Sequence, residues 1–121
     1  MKIFIHYKIN SLIEAFDEEE KVLASTKIAV KNRFNFKTRV GRNQILIIEA
    51  VASAIKARLE FYRSQVIFLD LNLKKLQAHS DSGGQTNTDV NIYNSVLESL
   101  GQVEVALNNI RSEIEEMQKI I

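Results

Sequence analysis

Apolar residues recur at alternating intervals of three and four through the C-terminal third of the chain. This heptad spacing keeps one apolar stripe facing a neighbouring helix, and it predicts a long amphipathic helix over about residues 89–120. The charged residues lie off the stripe, as they do on a helix with one solvated face. The residues of this predicted seam are Tyr93, Val96, Leu100, Val103, Leu107, Ile110, Ile114 and Met117.

The middle of the chain repeats this spacing and predicts a second long helix over about residues 44–79. Additional apolar residues at Val51, Phe61, Ile67 and Phe68 widen its stripe. A wide stripe indicates more than one neighbour, which is typical of a helix in a bundle. The predicted seam residues are Ile48, Ala52, Ile55, Leu59, Tyr62, Val66, Leu69, Leu73 and Leu76.

The segments outside these helices are less regular. Residues 80–89 contain paired glycines and no apolar side chain, which predicts a flexible loop that folds the two helices back antiparallel. Residues 2–9 alternate between apolar and other positions, as a short half-buried strand does. A single strand cannot form a sheet, so this segment would need an oligomer or would be absorbed into a helix. Ser11 followed by Glu14 has the spacing of a capping box and predicts a further helix over about residues 11–34.

These elements predict an all-α fold in a single domain of 121 residues, an antiparallel coiled coil or bundle of two or three long helices. The chain has no proline to interrupt a helix and no cysteine for a disulfide or a thiolate metal site. Since two or three helices leave wide apolar stripes partly uncovered, we expect a protein partner or self-association into a homo-oligomer.

Charge is distributed unevenly along the chain. Residues 27–63 carry nine basic and two acidic side chains, whereas residues 1–26 carry three and five and residues 64–121 carry four and eight. Basic and acidic flanks of neighbouring helices would pair with each other. Alternatively, the basic segment binds a polyanion such as nucleic acid. The candidate partner-binding residues are Lys37, Arg39, Arg42, Arg58 and Arg63.

No pattern of catalytic residues stands out. The two histidines, His6 and His79, lie in different segments, and neither has a second ligand at helical spacing. The glycine pair at residues 83–84 lacks the Lys-Ser/Thr of a phosphate-binding loop. We therefore expect a protein that is not an enzyme and that uses no metal and no cofactor.

Residues 27–78 combine a charged helix end, an aromatic, a glycine turn and a long helix rich in alanine and leucine. The stretch "RVGRNQILIIEA", followed by "KARLEFYRSQVIFLDLNLKKL", resembles the periplasmic α-hairpin of TolC-like outer-membrane efflux and secretion channels. The resemblance implies that residues 40–44 form the hairpin tip, where such channels meet a periplasmic adaptor. From the residues themselves, Gly41 lies where the preceding helix is expected to end or bend.

Two functions follow as expectations. The first is a non-enzymatic structural or interaction protein, acting as a coiled-coil scaffold or as a subunit of a larger homo- or hetero-oligomeric assembly. The second is a helical module that binds nucleic acid or another polyanion through residues 27–63. The longest aliphatic run, residues 45–48, is too short to cross a membrane. With no signal peptide in the sequence, a cytoplasmic location is expected if the chain is complete.

Overall fold

The protein is a bundle of three long helices. The structure, a computed structural model, describes the backbone of residues 2–83 and 87–120 and the side chains of residues 5–76, 78 and 90–120. The helices are α1 (Lys2–Lys31), α2 (Arg39–Gly83) and α3 (Asn87–Gln118), and each contacts the other two. The predicted all-α class is therefore confirmed, with three helices rather than two.

Ion pairs between α1 and α2 show that these helices are antiparallel. Asp17 accepts a hydrogen bond from Arg63 at 2.8 Å, whereas Lys31, later in α1, pairs with Glu49, earlier in α2. Residue numbers thus rise along one helix as they fall along the other. The connection between them is the short turn over residues 32–38.

The contacts between α1 and α3 show a parallel arrangement. Lys8 lies 3.1 Å from Glu104, and Glu19 accepts a hydrogen bond from Arg111 at 2.9 Å. Numbers rise together along both helices, so α3 returns along the same direction as α1. α2 is antiparallel to both of its neighbours.

One apolar core runs along the shared axis of the bundle. Its α1 residues include Phe16, a fully buried aromatic, and the α3 residues of the core follow the 3–4 spacing from Val96 to Met117 without interruption. Tyr62, Leu69 and Tyr93 are partly buried at its edge. The core residues are Ile5, Ile9, Leu12, Phe16, Leu23, Val30, Ile48, Ala52, Ile55, Leu59, Val66, Leu73, Val96, Leu100, Val103, Leu107, Ile110, Ile114 and Met117.

The N-terminal strand predicted over residues 2–9 is wrong, because these residues form the first turns of α1. Ile5 and Ile9 are fully buried, and they continue to Leu12 and Phe16 at intervals of three and four. When every second residue of a short segment is apolar, some of these residues are four apart, so the segment also fits one side of a helix. Helix α1 forms here because its apolar side covers the apolar surface of α2 and α3. Ser11 therefore lies within α1 and does not cap it.

Four helix boundaries also differ from their predicted positions. α1 ends at Lys31 rather than near residue 34, and α2 begins at Arg39 rather than near residue 44. α2 continues to Gly83, and α3 begins at Asn87. Residues 80–83 and 87–89 of the predicted loop are thus helical. Their polar side chains are compatible with a helix end as well as with a loop, because they stay in contact with water in both. Residues 84–86 of that loop lie outside the described residues.

Polar side chains interrupt the apolar seam of α1 at two points. Glu19 and Thr26 occupy seam positions, which is why the apolar positions of this helix are sparse in the sequence. Glu19 is paired with Arg111, and the Gln118 amide donates to the Thr26 hydroxyl at 3.3 Å. Both partners lie on α3, so these polar contacts favour one register of α1 against α3.

The start of α2 is fixed by Thr38 and Gly41. The Gly41 N–H donates to the Thr38 hydroxyl at 2.9 Å, so Thr38 is the N-cap of α2. That hydroxyl in turn donates to the Asn35 carbonyl at 3.1 Å. A Cβ at Gly41 would lie 1.8 Å from the Asn35 carbonyl oxygen, so a side chain cannot be accommodated there without moving the turn. Gly41 therefore lies in the first turn of α2 and does not end or bend the helix before it.

We predict that Gly41→Ala destabilises the protein by about 1–3 kcal/mol, because the added methyl forces the turn at Asn35 to move. Gly101→Ala is the matched control, since a Cβ there meets no atom within 4 Å. Alanine in a helix interior should stabilise α3 by about 0.5–1 kcal/mol. Urea unfolding of the two variants measures both changes, and equal shifts of their midpoints would contradict the close approach at Gly41.

Candidate interaction surfaces

The first surface is a basic hairpin tip, defined here as residues 32–42. α3 ends at Gln118, and the Gln118 side chain contacts Thr26 of α1. The last turns of α1 and the first turns of α2 therefore extend beyond the described part of α3. Arg33, Lys37, Arg39 and Arg42 are all exposed there, with no acidic residue in the tip.

The structure brings together only part of the predicted basic site. Lys37, Arg39 and Arg42 lie at the tip, as their sequence positions indicate. The Arg42 guanidinium donates to the carbonyl oxygens of Phe36 and Lys37, at 3.4 and 3.3 Å, and so holds the turn closed. Lys37 and Arg39 have no side-chain partner within the described part of the chain, and their charges face solvent.

Arg58 and Arg63 do not belong to this surface. Arg58 pairs with Glu113 of α3, and Arg63 donates to Asp17 of α1. Both lie more than a dozen residues along α2 from the tip, a distance of roughly 25 Å or more at the rise of an α-helix. These two arginines form ion pairs between helices of the bundle. This is the pairing of basic and acidic flanks that the sequence predicts as the alternative to a binding site.

A further ion pair closes the inner side of the tip. Lys31, in the last turn of α1, donates to Glu49 of α2. This hydrogen bond and the lysine charge lower the pKa of the Glu49 carboxyl below its ordinary value. Glu49, the acid nearest the tip in sequence, thus has its negative charge compensated by Lys31, so it does not offset the positive charge of the tip.

Apolar side chains are also exposed at the tip. Phe36 is 67% exposed and Val40 is 71% exposed, beside the free side chains of Lys37 and Arg39. A surface of this kind presents both positive charge and a small apolar area to a partner.

The second surface is the outward side of α2. A second set of residues on this helix, hereafter the second seam, also follows the 3–4 spacing, but it faces away from α1 and α3. Every residue of the second seam is exposed and uncharged. Phe61 and Phe68 are 57% and 62% exposed. The second seam is Ile47, Ala50, Ala54, Ala57, Phe61, Ser64, Phe68 and Leu71.

The flanks of the second seam are also poor in charge. Leu46, Val51 and Ile67 lie beside it and are exposed, and the nearest free charges are Lys56 and Glu60. The outward sides of α1 and α3 are different, because they carry residues such as Glu14, Glu18 and Glu116. α2 is therefore apolar on two sides, one of which the bundle leaves uncovered.

A shallow groove lies between α1 and α3. The groove, of about 430 Å³, is lined by residues that include Tyr7, Lys8, Glu104 and Arg111. Its charged side chains are engaged in ion pairs between the helices. Among the described residues, no group of three or more His, Asp or Glu side chains is placed to hold a metal ion. No described helix is long and apolar enough to cross a membrane.

The chain matches no family model, no curated protein and no solved structure. The likeness to the hairpin of TolC-like channels thus stays a prediction from the sequence. Its predicted tip, residues 40–44, lies in the first turns of α2, and the turn itself is formed by the preceding residues 32–38. The difference arises because Thr38 caps α2 ahead of the glycine.

The sequence predicts the second seam only in part. Val51, Phe61, Ile67 and Phe68 indicate a widened stripe, whereas the alanines that complete a second 3–4 pattern are not conspicuous in the sequence. The signal was present, since Ala50, Ala54 and Ala57 occupy the same spacing as the two phenylalanines. Alanine is ambiguous in such patterns, because its high helix propensity favours it at any position of a helix, whether solvated or packed.

We predict that Arg63→Glu lowers stability by about 1 kcal/mol, because it removes the contact with Asp17 and places two like charges together. Arg39→Glu should leave stability unchanged or raise it by a few tenths of a kcal/mol, since an acid in the first turn of a helix is favourable. Urea midpoints at low salt measure the difference, which high salt should reduce. Equal loss in both variants would mean that Arg39 also has a structural contact.

Proposed function

We propose that this chain is a non-enzymatic helical scaffold that acts as a subunit of a larger assembly. The observation that carries the proposal is the second seam of α2, an exposed and uncharged stripe with the spacing of a coiled coil. A helix that is apolar on more than one side is normally buried on each of them. α2 then becomes the central helix of the assembly, with α1 and α3 covering its other side.

The size of the exposed surface supports this proposal. Single exposed apolar residues are common and require no partner. A continuous row from Ile47 to Leu71 is different, because it spans about 36 Å of helix and contains two phenylalanines. Apolar surfaces of this extent on soluble domains mark sites of protein association.

We predict that Phe61→Glu abolishes the assembly, because it introduces a charge into the centre of the apolar surface. Val105→Glu is the matched control: Val105 is 61% exposed on α3, similar to Phe61, but lies outside the second seam. Light scattering after size exclusion measures the mass of each variant, and circular dichroism checks that both stay folded. Loss of assembly in both variants, or in neither, would contradict an interface at the second seam.

The second candidate function is the binding of a polyanion such as nucleic acid at the hairpin tip. It is favoured by the free charges of Lys37 and Arg39 and by the exposed Phe36, whose ring is available for stacking on a base. Because Arg58 and Arg63 are paired within the bundle, the candidate site is smaller than the basic segment of the sequence.

We predict for this second function that the double variant Lys37→Glu/Arg39→Glu elutes from heparin at lower salt than the unaltered protein. Lys74→Glu/Lys75→Glu makes the same charge change on exposed residues far along α2 and serves as the control. A monomer that binds heparin with steep salt dependence would overturn the scaffold proposal. A salt-insensitive oligomer without heparin affinity would overturn the polyanion proposal.

A further inference from the structure

The second seam has a pattern of large and small residues that restricts what can cover it. Large side chains stand at both ends, with Ile47 at one and Phe68 and Leu71 at the other. Small residues fill most of the space between, around the single large Phe61. A partner helix must supply bulk opposite the alanines and leave room opposite the phenylalanines, because packed interfaces reach the density of protein interiors.

We propose that a second copy of this chain covers the second seam, with the two α2 helices antiparallel about a two-fold axis that crosses the outer side of α2 at the level of residue 59. This inference rests on the proposed scaffold function and names its partner. In an antiparallel coiled coil the two alternating seam positions face each other across the pair. Each residue then faces the partner residue that lies an equal distance on the other side of the axis.

This arrangement matches large residues to small ones along the seam. Phe61 faces the partner's Ala57, and Phe68 faces the partner's Ala50. Ile47 and the partner's Leu71 close each end, and Ala54 faces the partner's Ser64. Because the axis is two-fold, each pairing occurs twice, and all eight residues of the second seam are used.

A parallel pair of the same helices packs less evenly. Each residue would face its own copy, so Phe61 would meet the partner's Phe61 while Ala54 and Ala57 would meet alanines. The Phe–Phe layers would then push the two helices apart, and the Ala–Ala layers would be left with voids. Both effects are destabilising. The distribution of residue sizes in the second seam thus favours the antiparallel pair.

Charge complementarity supports the same occupant. Lys56 and Glu60 are exposed on the same flank of the second seam, and neither has an ion-pair partner within the described chain. In the antiparallel pair, Lys56 comes within about 3 Å of the partner's Glu60 along the helix axis, within reach of its flexible side chain. Along this flank the order is then Lys56, the partner's Glu60, Glu60 and the partner's Lys56, so each glutamate near the axis has a lysine of the other chain beside it. A closed pair of this symmetry uses the whole surface.

Distances between single spin labels test the orientation, and the absence of native cysteine allows each label to be placed on a single introduced cysteine. The antiparallel pair places labels at Asn43→Cys about 50 Å apart and labels at Gln65→Cys about 20 Å apart. A parallel pair gives similar short distances at both positions. Two short distances, or a monomeric mass at all concentrations, would overturn the antiparallel pair.

A size exchange tests the register. Phe61→Ala should weaken the dimer on the order of tenfold or more, because it leaves two facing alanines in each of two layers. Adding Ala57→Phe to that variant restores one large and one small residue in each layer and should recover the affinity of the unaltered protein. Failure of the double variant to dimerise, while circular dichroism shows it folded, would overturn the register.

These results separate this inference from the function on which it rests. An oligomer whose interface lies elsewhere on the chain, or a complex with a different protein at the second seam in place of a second copy, would overturn the antiparallel self-pairing and leave the scaffold proposal standing. A monomer that binds heparin with steep salt dependence would overturn both. A dimer with the two expected distances supports both.

Discussion

Burial of one apolar seam from each helix is the interaction on which the whole structure depends. Leu59, Leu100 and Phe16 are fully buried along this shared axis, and the ion pairs between helices lie around it. Those ion pairs are mostly solvated and contribute little individually. The apolar core therefore holds the helices together, whereas the polar contacts at Glu19 and Thr26 favour one register.

The same packing leaves α2 with two unequal sides. Its inner side is covered by α1 and α3, and Arg58 and Arg63 extend from it to acids on the two neighbours. Its outer side keeps the spacing of a packed helix without any neighbour in the chain. A monomer of this fold has an apolar surface that an assembly would remove from water, and this asymmetry is the physical basis of the proposed function.

Much of the fold was predictable from the sequence, because long 3–4 patterns are specific to helices. The seams of α2 and α3 could be read residue by residue. The N-terminal segment could not, since the pattern at Ile5 and Ile9 fits a strand as well as a helix until a neighbouring surface is known. Thr38 and Gly41 were also missed as a pair, because the close approach of Asn35 is set by the three-dimensional path of the turn.

The candidate sites were less predictable than the fold. Sequence position grouped Arg58 and Arg63 with the basic turn, but their partners Glu113 and Asp17 are distant in the chain and can be identified only from the packing. Lys37 and Arg39 have no side-chain partner within the described residues, which also becomes visible only from the packing. Which arginines remain available to a partner is thus a property of the tertiary structure.

The parallel contact between α1 and α3 has a consequence for how the chain reaches this structure. Glu19 and Arg111 are separated by 92 residues, whereas α1 and α2 meet across the short turn capped by Thr38. Bringing distant segments together costs more chain entropy than closing a short hairpin. The contact between α1 and α2 is therefore less costly to form in the unfolded chain than a direct contact between α1 and α3, which favours formation of a hairpin before α3 packs against α1.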